Sequence, residues 1–96
     1  NEKISADQAH QLGLINRIVD QPGLTGATLE WVNQLAEGPS VAFGYMKQNL
    51  LLAETGSLEE VVEQEAINSA HCVRTRDVKE ASAAFREKRS PNFEGR

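Results

Sequence analysis

The segment Thr75 to Arg96, TRDVKEASAAFREKRSPNFEGR, opens as a capped helix and closes as an irregular tail. Thr75 suits an N-cap, because its hydroxyl can accept from an amide that the first helical turn leaves unpaired. Asp77 falls near the positive end of the helix dipole. Val78, Ala81, Ala84 and Phe85 recur at helical spacing and predict an inward stripe, and the helix is expected to fade near Ser90-Pro91. From Arg74 onward there are seven basic residues against four acidic ones, a local positive surplus on a chain whose net charge is -4. Such a field suits a discrete anionic ligand, although basic residues near a helix C-terminus also simply complement its dipole. A helix-turn-helix nucleic-acid binder using Arg74, Arg76 and Lys79 is disfavoured, since the isoelectric point of 5.1 lies far below the value of about 9 that marks such domains.

Working back from Thr75, similar punctuation divides the rest of the chain. Ser57 with Glu60 is a capping-box pattern, and Leu58, Val61, Val62, Ala66, Cys72 and Val73 follow at helical intervals. The preceding helix starts at Pro39, closes at Gly56 and carries Val41, Ala42, Tyr45, Met46, Asn49, Leu50 and Ala53 on one face. Gly44 in its middle weakens it, which predicts that another backbone packs close by. Leu24, Ala27, Trp31 and Leu35 mark a helix to about Ala36, stopped by Gly38-Pro39. Ser5 with Gln8 opens a short first helix that Gly13 ends. Between Gly13 and the turn at Asp20-Gln21-Pro22-Gly23, the β-branched run Leu14 to Val19 predicts a short strand or an extended connector. Nothing later resembles a second strand, and one strand makes no sheet. The expected fold is therefore all-α, a small bundle of about five helices with one short extended segment.

The 96 residues allow one domain with a thin core, since a chain of this size buries only roughly 60 to 65% of its unfolded surface. Hydrophobic content of 40% and charged content of 25% are ordinary for a globular protein, and no apolar run approaches the roughly 20 residues of a membrane span. The opening Asn1-Glu2-Lys3 has no leader pattern and no initiator methionine, which reads as a cut. A single cysteine, Cys72, excludes an internal disulfide and suits a reducing, cytoplasmic compartment.

Three stretches carry a resemblance. Ile4-Ser5-Ala6-Asp7-Gln8-Ala9 through Gly13-Leu14-Ile15-Asn16-Arg17-Ile18-Val19, then Leu35-Ala36-Glu37-Gly38-Pro39, then the terminal AFREKRSPNFEGR, occur in the order and spacing found after the catalytic core of enoyl-CoA hydratase/isomerase (crotonase) family enzymes. Lys47 falls where the family's next helix usually has a lysine, and Thr75, Asp77, Glu80, Ala84, Phe85, Glu87, Lys88, Arg89, Pro91, Phe93 and Gly95 reproduce the closing pattern. Ala81 stands where glycine is usual, which tightens the room for close helix packing there. The chain thus resembles the C-terminal helical domain of a crotonase-type fold over residues 1–96, without the catalytic N-terminal domain.

The resemblance implies a lid and trimerisation role: C-terminal helices that cover an acyl-CoA site and build the interface of a homotrimer, or of a hexamer of stacked trimers. It also implies that Phe85 and Lys88 lie beside the CoA moiety, across a subunit boundary in some members. A lysine ammonium attracts phosphate as a point charge, and an aromatic face can pack on the ligand. The substrate implied is a coenzyme A thioester, with no resident cofactor and no nucleic-acid or membrane partner. Enolate chemistry on such a thioester needs paired backbone donors and placed carboxylates. The family's glycine-rich loops that present those donors lie upstream, and no residue here is expected to be catalytic. Glu59, Glu60, Glu63 and Glu65 read mostly as a solvated helix face. His10 and His71 match no metal-ligand spacing, and Cys72 beside His71 is no nucleophile pair because neighbouring helical residues point apart. The rival reading is a free-standing helical module that self-associates without catalysis.

Overall fold

The computed structural model describes residues 3–96, so Asn1 and Glu2, read above as part of a cut, lie outside the described residues. Local capping sets where the helices begin. Ser5 Oγ accepts from the Gln8 amide and Gln8 Oε1 accepts from the Ser5 amide, opening α1 (Ala6–Gln11). A 3-10 turn at Gln21–Gly23 leads into α2 (Leu24–Ala36). Pro39 sits at the N-cap of α3 (Ser40–Ala53), one position earlier than a first-turn proline would be. Ser57 and Glu60 close a reciprocal box at the start of α4 (Leu58–Val73), and those bonds hold the Glu60 carboxyl below its usual range. Thr75 Oγ1 accepts from the Val78 amide at the start of α5 (Arg76–Glu87).

Five α-helices are present and the described residues contain no strand, as an all-α reading requires. Leu14 to Val19 is the extended connector, with no ladder to complete. One of its carbonyls finds a local partner, His10 Nδ1 lying 3.2 Å from Ile15 O.

The chain divides into two compact units, residues 1–32 and 33–96. In the first, the Arg17 guanidinium lies 4.6 Å from the Trp31 ring centroid, a cation–π contact of about 0.5–1 kcal/mol at an exposed site. In the second, α3 packs on α4 and α4 on α5. Tyr45 stacks on His71 across the first of these contacts, with centroids 5.8 Å apart. Asn68 is buried there, donating to Asn49 Oδ1 at 2.6 Å and accepting from Gln64 Nε2 at 3.0 Å. Each buried amide atom thereby avoids the penalty of an unmet hydrogen bond.

Each apolar stripe is only partly covered. Val41, Ala42, Tyr45 and Asn49 of α3 and Val61 and Cys72 of α4 are half-buried, whereas Met46, Leu50, Leu58, Val62 and Val73 are exposed. On α5 Val78 and Ala81 are half-buried and Ala84 is buried, but Phe85 is not on the inward face: it is 86% exposed. The stripe is narrower than the periodicity suggests because the α4–α5 contact is small, and Val78 and Ala81 border α3 and Phe93 of the tail instead. The helix also ends at Glu87, ahead of Ser90-Pro91, because Lys88 turns into the left-handed region at φ 55 and ψ 40.

Gly44 corrects another expectation, since a Cβ built there meets nothing within 4 Å. With no close backbone to accommodate, the glycine only costs helix stability. Gly44→Ala should therefore raise the helicity and thermal midpoint of the 96-residue chain, by about 0.5–1 kcal/mol. Circular dichroism checks this, and a lowered midpoint would show that the position is crowded after all.

Candidate functional site

The sequence-predicted residues Phe85 and Lys88 lie three positions apart, at the end of α5 and in the turn that follows. Both are exposed, so the ring and the ammonium are each accessible to a ligand.

The turn is built by backbone bonds first. The Lys88 amide donates to Phe85 O at 3.3 Å, and the Arg89 amide reaches back to Ala84 O at 3.0 Å, the six-to-one bond of a Schellman closure. A glycine usually takes the left-handed position of such a closure, because a Cβ is disfavoured there. Here a lysine does, and it is the one non-glycine residue with positive φ among the described residues.

Side chains then fasten the turn to the helix. Arg89 grips both carboxylate oxygens of Glu80, with Nη2 3.0 Å from Oε2, and donates from Nε to Glu87 Oε2 at 2.6 Å. The Asn92 amide donates to Glu80 Oε1 at 2.8 Å. Hydrogen bonds from Arg89 and then from the Asn92 amide lower the Glu80 carboxyl to about 2, while the same pairing raises the Arg89 guanidinium.

Beyond Asn92 the tail folds back along α5. Asp77, buried at 3% exposure, accepts from the amides of Glu94 at 2.8 Å and Gly95 at 3.0 Å. Arg96 O accepts from the Arg76 and Asp77 amides at 2.7 and 3.2 Å, satisfying donors that a helix start leaves open. Phe93 is half-buried and, with Pro39, Ala42, Val78 and Ala81, borders a small cavity of about 110 Å³. Ala81, where the family pattern has glycine, is accommodated at that cavity. Gly95 approaches α3 so closely that a Cβ would lie 2.5 Å from Ser40 Oγ, and its φ is +71°.

An open depression of about 520 Å³ between α5 and the tail is lined by Arg76, Asp77, Lys79, Glu80, Ala83, Asn92 and Glu94. Of its charged residues Arg76 pairs with Glu94 at 3.9 Å, Asp77 accepts tail amides and Glu80 is held by Arg89, and neither Phe85 nor Lys88 borders it. The site is thus a surface at the end of α5. Sequence reasoning placed Phe85 and Lys88 there but missed Arg89, Glu80 and Asp77 as the residues that shape it. The signal was available in part, since Glu80 and Asp77 share one helix face and Arg89 follows directly on Lys88.

His10 Nδ1 lies near Ile15 O, and His71 stacks on Tyr45. Among the described residues no three His, Cys, Asp or Glu side chains cluster in a way that could hold a metal ion, and no helix is long and apolar enough to cross a membrane.

The sequence model of the enoyl-CoA hydratase/isomerase family matches residues 1–96. The chain is 34% identical over 94 residues to 1,2-epoxyphenylacetyl-CoA isomerase of Escherichia coli, covering 98% of this chain and 36% of that protein. It is 30% identical over 88 residues to a short-chain-enoyl-CoA hydratase of Clostridium acetobutylicum, covering 92% of this chain and 34% of the relative. Its backbone superimposes on an enoyl-CoA hydratase subunit I structure from Geobacillus kaustophilus with a TM-score of 0.90 at 36% identity, over 97% of this chain and 36% of that one. An enoyl-CoA hydratase/isomerase structure from Mycobacterium paratuberculosis gives 0.90 at 29% identity, over 99% and 37%. The chain spans about a third of the length of these relatives.

The Arg89–Glu80 grip has a measurable sign. A carboxyl whose folded pKa is depressed adds stability above its unfolded value, and that contribution fades as pH falls through the folded value. Following the Glu80 carboxyl by NMR should give a midpoint near 2, with the tail held through pH 4. A midpoint near the ordinary value of about 4.3 would mean that the grip does not form in solution.

Proposed function

Because this chain belongs to the enoyl-CoA hydratase/isomerase family, we propose that it is the C-terminal helical domain of a longer enzyme that hydrates or isomerises enoyl-CoA thioesters. The supporting observation is the exposed pair at the end of α5, Phe85 at 86% exposure and Lys88. A phenylalanine left in water gains by covering an apolar or aromatic surface, and an exposed ammonium attracts phosphate. Coenzyme A offers both. In this reading Lys88 meets a phosphate of the CoA moiety and Phe85 packs against its neighbouring surface, with the thioester itself handled by residues outside this chain.

The wider apolar surface supports the same assignment. Leu50 at 68% and Leu51 at 60% exposure on α3, and Leu58 at 81% and Val62 at 57% on α4, leave large apolar side chains uncovered on both helices. We assign this surface to contact with the catalytic half and with neighbouring subunits of a homotrimer or hexamer, so that the domain serves as cover for the CoA site and as oligomer surface. The enzyme needs no resident cofactor for this chemistry, and a cytoplasmic setting fits its thiol and its substrate.

Two measurements test the reading. Lys88→Ala in the full-length enzyme should raise KM for a short enoyl-CoA roughly 3- to 10-fold with little change in kcat, the pattern of lost uniform binding; an unchanged KM returns Lys88 to an ordinary solvated lysine. The isolated 96-residue chain should hydrate the same substrate no faster than buffer, because oxyanion donors and a proton-transferring carboxylate are supplied elsewhere. Turnover above that rate would place catalysis within these residues.

A further inference from the structure

Lys88 occupies a backbone conformation that a side chain adopts at a cost, and the surrounding bonds are what keep it there. Its φ of 55 and ψ of 40 are left-handed. A residue in such a region persists only where its neighbours over-determine it. On one side Glu87 is tied to Arg89 Nε at 2.6 Å; on the other, Arg89 is tied to both oxygens of Glu80. The residues flanking Lys88 are therefore bonded to each other and to a point on α5 two turns back.

We propose that Arg89 is a positioning residue for the CoA-binding lysine: gripped by Glu80 and Glu87, it fixes the left-handed turn that presents the Lys88 ammonium to a CoA phosphate. This rests on the reading of Lys88 given above. In this role Arg89 acts through Lys88, since its Nε, Nη1 and Nη2 already donate to Glu87, Glu80 and Ser90 O. The planar guanidinium is needed because only a fork can hold two carboxylate oxygens at once and still donate sideways to a third. A lysine at this position would make one such bond. Releasing the grip frees Lys88 and the tail to fluctuate, so part of the binding gain is lost in reordering the ammonium.

The test is a double-mutant cycle in the full-length enzyme: wild type, Lys88→Ala, Arg89→Ala and the double variant, with KM and kcat measured on a short enoyl-CoA. Arg89→Ala should raise KM by roughly the factor seen for Lys88→Ala, up to about 10-fold, with kcat within about twofold. The double variant should bind no worse than Lys88→Ala alone, because an effect carried by Lys88 vanishes with it. Arg89→Lys should fail to restore KM. Glu80→Gln, which keeps the side-chain shape and Arg89 itself, should shift KM in the same direction and carries the test should Arg89→Ala not fold. Multiplying KM effects in the double variant, or an unchanged KM in Arg89→Ala and Glu80→Gln while Lys88→Ala raises it, overturns the positioning role and leaves the binding role of Lys88 standing. An unchanged KM in Lys88→Ala overturns both.

Discussion

The carboxylate of Asp77 is buried, and its two oxygens accept from the amides of Glu94 and Gly95. A buried carboxylate without donors would be strongly unfavourable, and a tail without regular structure would leave its amides without partners. Each need meets the other here. Glu80, one turn along the same face, repeats the arrangement with the Asn92 amide and Arg89. Two carboxylates three residues apart therefore gather the whole segment after α5 and lay it back against its own helix. Gly95 lets the last step happen, since at its φ of +71° any side chain would be strained and would meet Ser40.

Polar anchoring matters in this chain because apolar burial is sparse. Ala84 of α5 is the buried hydrophobic residue among those described, and the α3–α4 contact encloses an Asn68–Asn49 pair where a larger domain would place leucines. Such amide pairs contribute little net stability, about 1 kcal/mol for a typical hydrogen bond, but they penalise any register in which they are unmatched. Register within the second unit is thus specified by hydrogen bonds, while Met46, Leu50, Leu51 and Leu58 stay outside. The chain spans about a third of its relatives' length.

What could be read from the sequence was what is local in the chain. Ser5, Ser57 and Thr75 announced helix starts because a cap bonds within three residues of itself, and α2 and α4 were delimited by Gly38-Pro39, Gly56 and Ser57 for the same reason. Which face each helix buries was only half legible. A periodic stripe states that a face is apolar and not which surface will cover it, so Phe85 and Leu58 were placed inward and are exposed. The left-handed Lys88 was hidden because helices usually mark that position with glycine. Asp77's bonds to the tail span 17 and 18 positions and leave no local signature. The bonds that shape the end of α5 and the tail became visible only in three dimensions.

These two levels meet at one turn. The Glu80 bonds that restrain the tail through Asn92 are made by the same carboxylate that Arg89 grips beside Lys88. Had the turn carried glycine, the helix would end with less strain and with no lysine charge there. Placing a lysine there sacrifices local stability, and the ion-paired arginine next to it offsets that loss by holding the strained geometry from outside. A site on an exposed helix end cannot be made rigid by a core, because there is none beneath it. Bidentate polar contacts are the available substitute: Arg89 is engaged with Glu80 and Glu87, while Phe85 and Lys88 are left facing out.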